Sequence, residues 1–404
     1  MSNAVGDIES VRIERPAVGG AVGRLRDGRV VFVRHSLPGE LVRVAVTEEN
    51  SKFARADAVE VLEASPNRVA PRCYYARPGG CGGCDLQHAS LTGQLSWKGA
   101  LVQEHLRRIA GLTFEVTVTS LSDEGHTRTR LRCAVDGDGA LALRRTRSHQ
   151  FIAISSCQVA DLRFADAFNT SWPRAEEVEL RAIGDGEPLA LVRRVTDRGT
   201  AFELCSLGGA PLDPSTQSRV KVGGYYFSVS PRSFWQSHRD APEVLVRTVL
   251  EFADVSAGDH VVDLFSGVGL FSVPLAQRVG PGGKVVAVEG SPYAVRDARV
   301  NGEGLRQLKV REWSVTPRAI NDAVAPGDVV VLDPPRSGLA RGVAGALARR
   351  APRRLVYVSC DAATFARDLA VLTSAGYTLT DLRVFDLFAM TEHVELVAVL
   401  DLGA

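Results

Sequence analysis

The chain opens with segments whose character switches between apolar and polar every second residue: SVRIERPAVGG, GAVGRLRDGRVVFVRHSLPGE, LVRVAVTEE and FARADAVEVLE, within residues 8 to 66. Period-two alternation puts successive side chains on opposite faces of a strand. Short strands at even spacing, broken by glycine turns and lacking any helical period, predict a small closed barrel. The pattern ends at SPNRVAPRC, which reads as a linker. Residues 90 to 112, SLTGQLSWKGALVQEHLRRIAGL, instead carry Leu95, Leu101, Val102, Leu106 and Ile109 at helical spacing between a serine start and a glycine exit, so one helix is predicted there. Strand-and-turn texture returns from 118 to 230. From about 240 helices and strands alternate: APEVLVRTVLEFA, HVVDLF, GLFSVPLAQRVG, KVVAVEG, SPYAVRDARVNGEG, DVVVLDPP, AGALARRAPRR and LVYVSC. Such alternation predicts an α/β domain with a doubly wound parallel sheet whose ligands bind at the carboxyl ends of its strands. The chain shows neither an internal repeat nor a low-complexity tract.

With 404 residues, 45% hydrophobic and 24% charged, the composition is that of a soluble globular chain of two or three domains. No apolar run approaches the ~20 residues of a membrane helix. The polar start MSNAVGDIESVRIERP lacks the basic and apolar regions of a signal peptide, so a cytoplasmic location is expected. The seven cysteines are odd in number and mostly scattered, a poor disulfide framework. Three of them fall in CYYARPGGCGGCDLQH (73–88), where Cx7CxxC spacing in a reducing compartment points to metal. A net charge of +1 does not advertise nucleic acid. Its distribution changes that picture, because residues 126–150 hold six arginines around a DGDG turn. Spacing of two sets Arg128, Arg130 and Arg132 on one face of the expected hairpin, either a solvated sheet face or a phosphate-binding stripe.

Four motifs carry candidate chemistry. In DLFSGVGLF (263–271) a strand enters a glycine turn before a helix, letting backbone approach a ligand at Gly267 and Gly269. Glu289 closes the next strand, placed for the ribose hydroxyls of a nucleoside cofactor. Ser272 stands where the dinucleotide fingerprint has its third glycine, which favours S-adenosylmethionine over NAD; the alternative is a purely structural turn. LDPPRSG (332–338) ends a strand at Asp333, although proline pairs also end strands for no functional reason. In YVSCDAATFARDL, Cys360 sits between a strand end and a helix start, either a reactive thiol or a small buried hydrophobe. In MTEHVELVAVL, Glu395 has apolar neighbours that suit a general base of raised pKa, whereas Glu392 is as readily a solvated side chain.

Taken together, CxnCGGC followed by DLQH, FWQ (234–236), DLFSGVG, VEGS, LDPPRSG, YVSC and HVE resemble, in order and over almost the whole chain, the RNA 5-methyluridine methyltransferase family, and within it the iron–sulfur branch acting on 23S ribosomal RNA. The resemblance implies a TRAM (OB-like) RNA-binding barrel at 1–66, a central β-rich iron–sulfur and RNA-binding domain at 67–232 whose helix 90–112 packs on the catalytic part, and a Rossmann-like SAM methyltransferase domain at 233–404. It implies a [4Fe–4S] cluster held by Cys73, Cys81, Cys84 and Cys157, with zinc the alternative because spacing does not separate the metals, and Cys133 and Cys205 spare. It makes Cys360 the thiolate that adds to carbon 6 of uracil and Glu395 the base that removes the carbon-5 proton. Gln236, Phe265, Gly267, Gly269, Glu289 and Asp333 would line the cofactor and target-base pocket. The implied partner is RNA presenting an unpaired or flipped-out uridine, gripped by the arginine hairpin and the barrel, with the protein a monomer free of membrane. A transfer-RNA substrate, or a non-catalytic RNA-binding scaffold, are the alternatives. The departures are a longer Cys73–Cys81 gap, His238 and Leu270 in place of asparagines, SCDAAT, and FAMT before HVE.

Overall fold

A computed structural model describes residues 8–121, 125–196 and 199–403. The first seven residues of the expected barrel domain lie outside the described residues. Strands β1 (Ile8–Ala17), β2 (Gly20–Arg24), β3 (Val30–Arg34), β4 (Leu41–Glu49) and β5 (Phe53–Glu63) close into a barrel in the order β1-β2-β3-β5-β4. The alternation seen in the sequence is what closes it. Val11, Ile13, Val31, Val33, Val42 and Val44 all point into the barrel and are buried, while their neighbours face solvent.

Ser90 caps helix α1 (Leu91–His105), its side chain accepting from the Gly93 amide. A single wide turn, Leu106–Ala110, extends the helix to Gly111, whose φ of +69° ends it. One face of α1 packs on the barrel and the other on the C-terminal sheet. Lys98 is fully buried on that helix. Its Nζ donates to Asp386 at 2.5 Å and to the Phe388 carbonyl at 3.0 Å. Burial pulls the Lys98 pKa down, and the Asp386 carboxylate opposes that pull. Removing one partner of a buried pair strands the other charge without solvent. Lys98→Met is therefore expected to destabilise the chain by roughly 3–5 kcal/mol. Chemical denaturation reads this out, and a loss below about 1 kcal/mol, the value of a surface pair, would contradict it.

A short strand, β6 (Val118–Ser120), precedes the middle sheet, which runs β12-β11-β10-β7-β8-β9. Its strands are β7 (Arg130–Val135), β8 (Leu141–Arg144), β9 (Phe151–Ala153), β10 (Ala175–Arg181), β11 (Leu189–Thr196) and β12 (Gly199–Ser206), with short helix α2 (Ala165–Asn169) between β9 and β10. β7 and β8 form the hairpin that DGDG predicts, pairing Ala134 with Ala142 and Val135 with Leu141. Cys133 and Cys205 are buried in this sheet's core with Trp172 and Phe164, as small hydrophobes. A separate hairpin, β13 (Ser218–Val222) and β14 (Tyr225–Val229), follows.

The remaining chain alternates: α3 (Ala241–Ala253), β15 (His260–Leu264), α4 (Ser272–Val279), β16 (Lys284–Glu289), α5 (Pro292–Asn301), β17 (Leu308–Glu312), α6 (Pro317–Ala323), β18 (Val329–Leu332), α7 (Val343–Arg350), β19 (Arg354–Ser359), α8 (Ala362–Ser374), β20 (Tyr377–Asp386) and β21 (Glu395–Leu402). The sheet order is β17-β16-β15-β18-β19-β21-β20-β6. Its first five strands are parallel, as the alternation predicts, but β21 is antiparallel to β19 and to β20, and β6 joins at the edge. The sheet is thus mixed rather than wholly parallel. Parallel strands need a helical crossover, whereas β20 and β21 follow one another with only a short loop, which permits only the antiparallel pairing.

Candidate active site

The order reverses between β15 and β18, the point where an open α/β sheet leaves a crevice at its carboxyl edge. β15 ends there in Leu264, and Phe265 turns the chain with φ +60°, a left-handed conformation that a bulky residue adopts only when its surroundings enforce it. Gly267 and Gly269 continue the turn at φ +54° and +90°. A Cβ at Gly267 would meet nothing within 4 Å, so the turn faces open space. Glu289, at the end of β16, accepts the Gly267 amide at 2.9 Å through one oxygen and the Ser291 amide at 2.7 Å through the other. Each oxygen keeps a second lone pair for a ligand hydroxyl. Asp263 is fully buried; one oxygen accepts from the Ser272 hydroxyl and the other, like the Ser266 hydroxyl, is buried without a partner. Burial pushes Asp263 up to about 7. Orphaned buried polar atoms are rare in folded proteins and ask for a ligand or water. The turn thus offers close backbone approach, an acidic side chain and unsatisfied polar atoms, a set that fits an adenosyl cofactor. Gln236 is half-buried in a segment tied to β7, its carbonyl accepting from the Thr129 hydroxyl at 3.1 Å.

Sheet register brings the next group together. Because β21 runs antiparallel to β19, its first residue lies at the same edge as the ends of the parallel strands. Ser359 pairs with Leu396, so Cys360, one step beyond, faces Glu395, one step before. Asp333 follows β18 on the other side of β19, its amide donating to the Leu264 carbonyl at 3.3 Å. Glu395 is buried and Cys360 half-exposed, so of the two the thiol is the more open to solvent. Burial and then the Glu395 and Asp333 charges push Cys360 up to about 12; the Arg336 guanidinium pulls the other way. Burial and Asp333 likewise raise Glu395 well above the usual carboxylate range, and burial raises Asp333 to about 7. Three acids with one nearby cation cannot all be ionised at neutral pH. Arg336 stands in LDPPRSG, where its signal in the sequence is a lone cation three residues after Asp333. Its loop is held by Asp368, which accepts from the Tyr357 hydroxyl and the Leu339 amide, both at 2.8 Å. Glu392 is half-buried rather than solvated, accepting the Gly19 amide of the barrel at 2.8 Å, and burial pushes it up to about 7. His393 packs edge-on against Phe388, and burial with the Arg336 and Lys98 charges pushes it down to about 4, leaving it neutral.

Cys73, Cys81, Cys84 and Cys157 line one cavity of about 910 Å³, between the CGGC loop and β8–β9. None is in a disulfide. Gly80 is obligatory in the loop, since a Cβ there would stand 2.2 Å from the Tyr75 carbonyl oxygen. Burial and then neighbouring thiols raise Cys81, and Cys84 is pushed up to about 12 chiefly by burial, while Arg128 lowers both. Among the described residues, no group of three or more His, Cys, Asp and Glu side chains is placed to hold a metal ion. The arginine stripe divides. Arg130 and Arg132 are neutralised across the sheet, Arg130 by both oxygens of Glu179 at 2.8 Å and Arg132 by Glu179 and Glu177. All three arginines of the stripe line the cysteine cavity, Arg130 and Arg132 as paired charges, and Arg147, which lines it too and donates to the Gly19 carbonyl at 3.2 Å, has no ion-pair partner among the described residues. Burial and the Arg55 and Arg34 charges push Arg147 down against the Glu48 and Asp57 carboxylates, marking an arginine-rich corner between barrel and hairpin whose charge those acids offset in part.

Comparison with known proteins bears on the fold and the family. Residues 3–59 match the TRAM domain and residues 318–402 the tRNA (Uracil-5-)-methyltransferase model. An RNA methyltransferase of Streptomyces coelicolor is 38% identical over 99% of this chain and 94% of its own. The 23S rRNA (uracil(1939)-C(5))-methyltransferase RlmD of Acinetobacter baylyi is 32% identical over 93% of this chain and 90% of its own. The crystal structure of Pyrococcus abyssi tRNA (uracil-54, C5)-methyltransferase with S-adenosyl-L-homocysteine superposes with a TM-score of 0.71, at 26% identity, covering 96% of this chain and 99% of that one. No helix among the described residues is long and apolar enough to cross a membrane. With its TRAM barrel, its methyltransferase sheet and relatives matched from end to end, the chain belongs to the RNA uracil-C5 methyltransferase family.

Proposed function

We propose that this enzyme methylates carbon 5 of a uridine in 23S ribosomal RNA, with Cys360 as covalent nucleophile and Glu395 as base. The observation that carries the reading is the cross-strand placement of Cys360 beside Glu395 at the crevice where the cofactor turn opens. Glu289, Gly267, Gly269, Phe265, Asp333 and Gln236 would line the pocket for cofactor and base. S-adenosylmethionine supplies an electrophilic methyl group on sulfur. The Cys360 thiolate adds to carbon 6, forming a C–S bond and pushing the ring's C5=C6 electrons into an enolate ending on oxygen 4. Carbon 5 then takes the methyl group, whose bond to sulfur breaks with its electrons staying on that sulfur. Glu395 accepts the carbon-5 proton; the released pair re-forms C5=C6 and expels the thiolate. Arg336 stabilises the thiolate and the charge that develops as it leaves.

Relatives named for uracil 1939 of 23S rRNA, from Acinetobacter baylyi and Shewanella amazonensis, favour ribosomal RNA. The fold match to a transfer-RNA enzyme keeps that substrate as the second reading. Incubation of under-modified 23S rRNA and of tRNA transcripts with methyl-labelled cofactor separates them. Label appearing as 5-methyluridine in 23S rRNA supports the reading; label confined to tRNA replaces it.

We read the cysteine cavity as the place of a [4Fe–4S] cluster, because an all-thiolate donor set suits iron–sulfur chemistry and the four thiols, none of them in a disulfide, line one cavity. A lone zinc ion needs all four sulfurs about 2.3 Å from one point. Cys73, Cys81, Cys84 and Cys157 would hold the cluster, which would tie the CGGC loop to β9 beside the arginine-rich corner where RNA phosphates are expected. Protein purified anaerobically is expected to be brown, and Cys84→Ser to lose the visible absorbance with its iron. A colourless wild type containing stoichiometric zinc would replace the cluster with zinc.

A further inference from the structure

The segment between β20 and β21 leads straight into Glu395, and it is held from several sides. Met390 has φ +64°, a left-handed backbone that a residue with a side chain reaches only when its surroundings impose it. Gln94 imposes it. Its Oε1 accepts the Met390 amide at 3.0 Å, and its Nε2 donates to the Met390 Sδ at 3.4 Å and to the Ala89 carbonyl at 3.0 Å. The Met390 carbonyl in turn accepts the Leu86 amide at 2.9 Å, from the chain just after the CGGC loop. Gln94 is 3% exposed, so water cannot replace these bonds. It sits in the first turn of α1, yet its side chain reaches a residue 296 positions away rather than the helix's own free amides. Five residues past Met390, Glu395 opens β21 opposite Cys360.

We propose that Gln94 is a positioning residue for the general base: by gripping the amide and sulfur of Met390 it holds the left-handed kink in the segment that leads into β21, and so aims the Glu395 carboxylate at the carbon-5 proton. This rests on the reading of Glu395 as the base. Glu395 acts only after the methyl group has moved. A mis-aimed carboxylate therefore leaves addition and methyl transfer intact and delays the last step, so that methylated RNA stays linked through its carbon 6 to the Cys360 sulfur. A glutamine that merely fills a buried polar site would slow no single step.

The experiment uses the full chain with 23S rRNA transcript carrying ordinary uridine, and follows kcat, KM and adducts on denaturing gels. Gln94→Ala is expected to lower kcat by roughly 10–100-fold, the cost of misplacing a catalytic group by about an ångström, with KM for RNA unchanged and with a methylated protein–RNA adduct that wild type does not accumulate. Glycine takes positive φ without penalty. Adding Met390→Gly to Gln94→Ala is therefore expected to restore turnover in part and to diminish the adduct. Wild-type kcat in Gln94→Ala overturns the inference. So does a kcat loss without adduct, accompanied by weaker cofactor binding or lower thermal stability, because Gln94 then serves the whole fold. Glu395→Gln, run alongside, separates the two claims. If it too yields no adduct on ordinary uridine, the base assignment fails; if it yields one while Gln94→Ala behaves as wild type, only the role of Gln94 fails.

Discussion

Cys360→Ala is expected to abolish methylation, with kcat falling by roughly 10⁴–10⁶-fold, the scale seen when a covalent nucleophile is deleted. Without the thiolate, carbon 5 of uracil has no enolate to push it toward the methyl group. RNA carrying 5-fluorouridine gives the direct readout, since fluorine cannot leave as a proton and the covalent intermediate persists. Wild type plus cofactor should give an adduct on denaturing gels, and Cys360→Ala none. Adduct in the variant would move the nucleophile to another residue. The pH dependence follows from the same site. With Cys360 pushed up to about 12, the thiol is protonated at neutral pH, and the reactive form grows as pH rises. Adduct formation should therefore accelerate with pH from about 7 upward, and Arg336→Ala, which removes the cation beside the sulfur, should steepen the requirement for alkali.

Glu395→Gln is expected to cost roughly 10²–10⁴ in kcat, the contribution of a positioned general base, while the early steps survive. Ordinary uridine RNA should then accumulate as a methylated adduct, the opposite of the Cys360→Ala result. Glutamine keeps the volume of a residue that is 3% exposed, so the change tests proton transfer rather than packing. It also removes a negative charge that raises Cys360. The Cys360 thiolate should therefore form at lower pH in this variant, and the burst of adduct should shift to lower pH with it. A variant that turns over at the wild-type rate would remove Glu395 from the reaction.

Both residues occupy motifs that local sequence made visible, but for reasons of different reach. β15, β16, β18 and β19 were legible as continuous apolar runs because strands buried on both faces need no polar side. The β7–β8 hairpin was legible because Asp and Gly specify a turn by themselves. β17, α6 and β20 carried weaker patterns: β17 buries little of itself and α6 spans only Pro317–Ala323. The arginine stripe shows where such reading stops. Alternation placed Arg130 and Arg132 on one face, but Glu177 and Glu179, which neutralise them, lie on β10 some 45 residues later, and no local pattern announces a cross-strand partner.

The sequence by itself determined the barrel, the alternating domain, the glycine turn at 267–269 and the position of Cys360 after a strand, since each follows from side-chain periodicity or turn chemistry within a dozen residues. The mixed sheet was decided only by tertiary structure: β21 had to insert antiparallel between β19 and β20 before Glu395 could stand across from Cys360. The same holds for the gathering of Cys157 with three cysteines more than 70 positions earlier, and for the grip of Gln94 on Met390. Strand order and register are set by which buried faces pack together across the whole chain, and that free energy has no local signature.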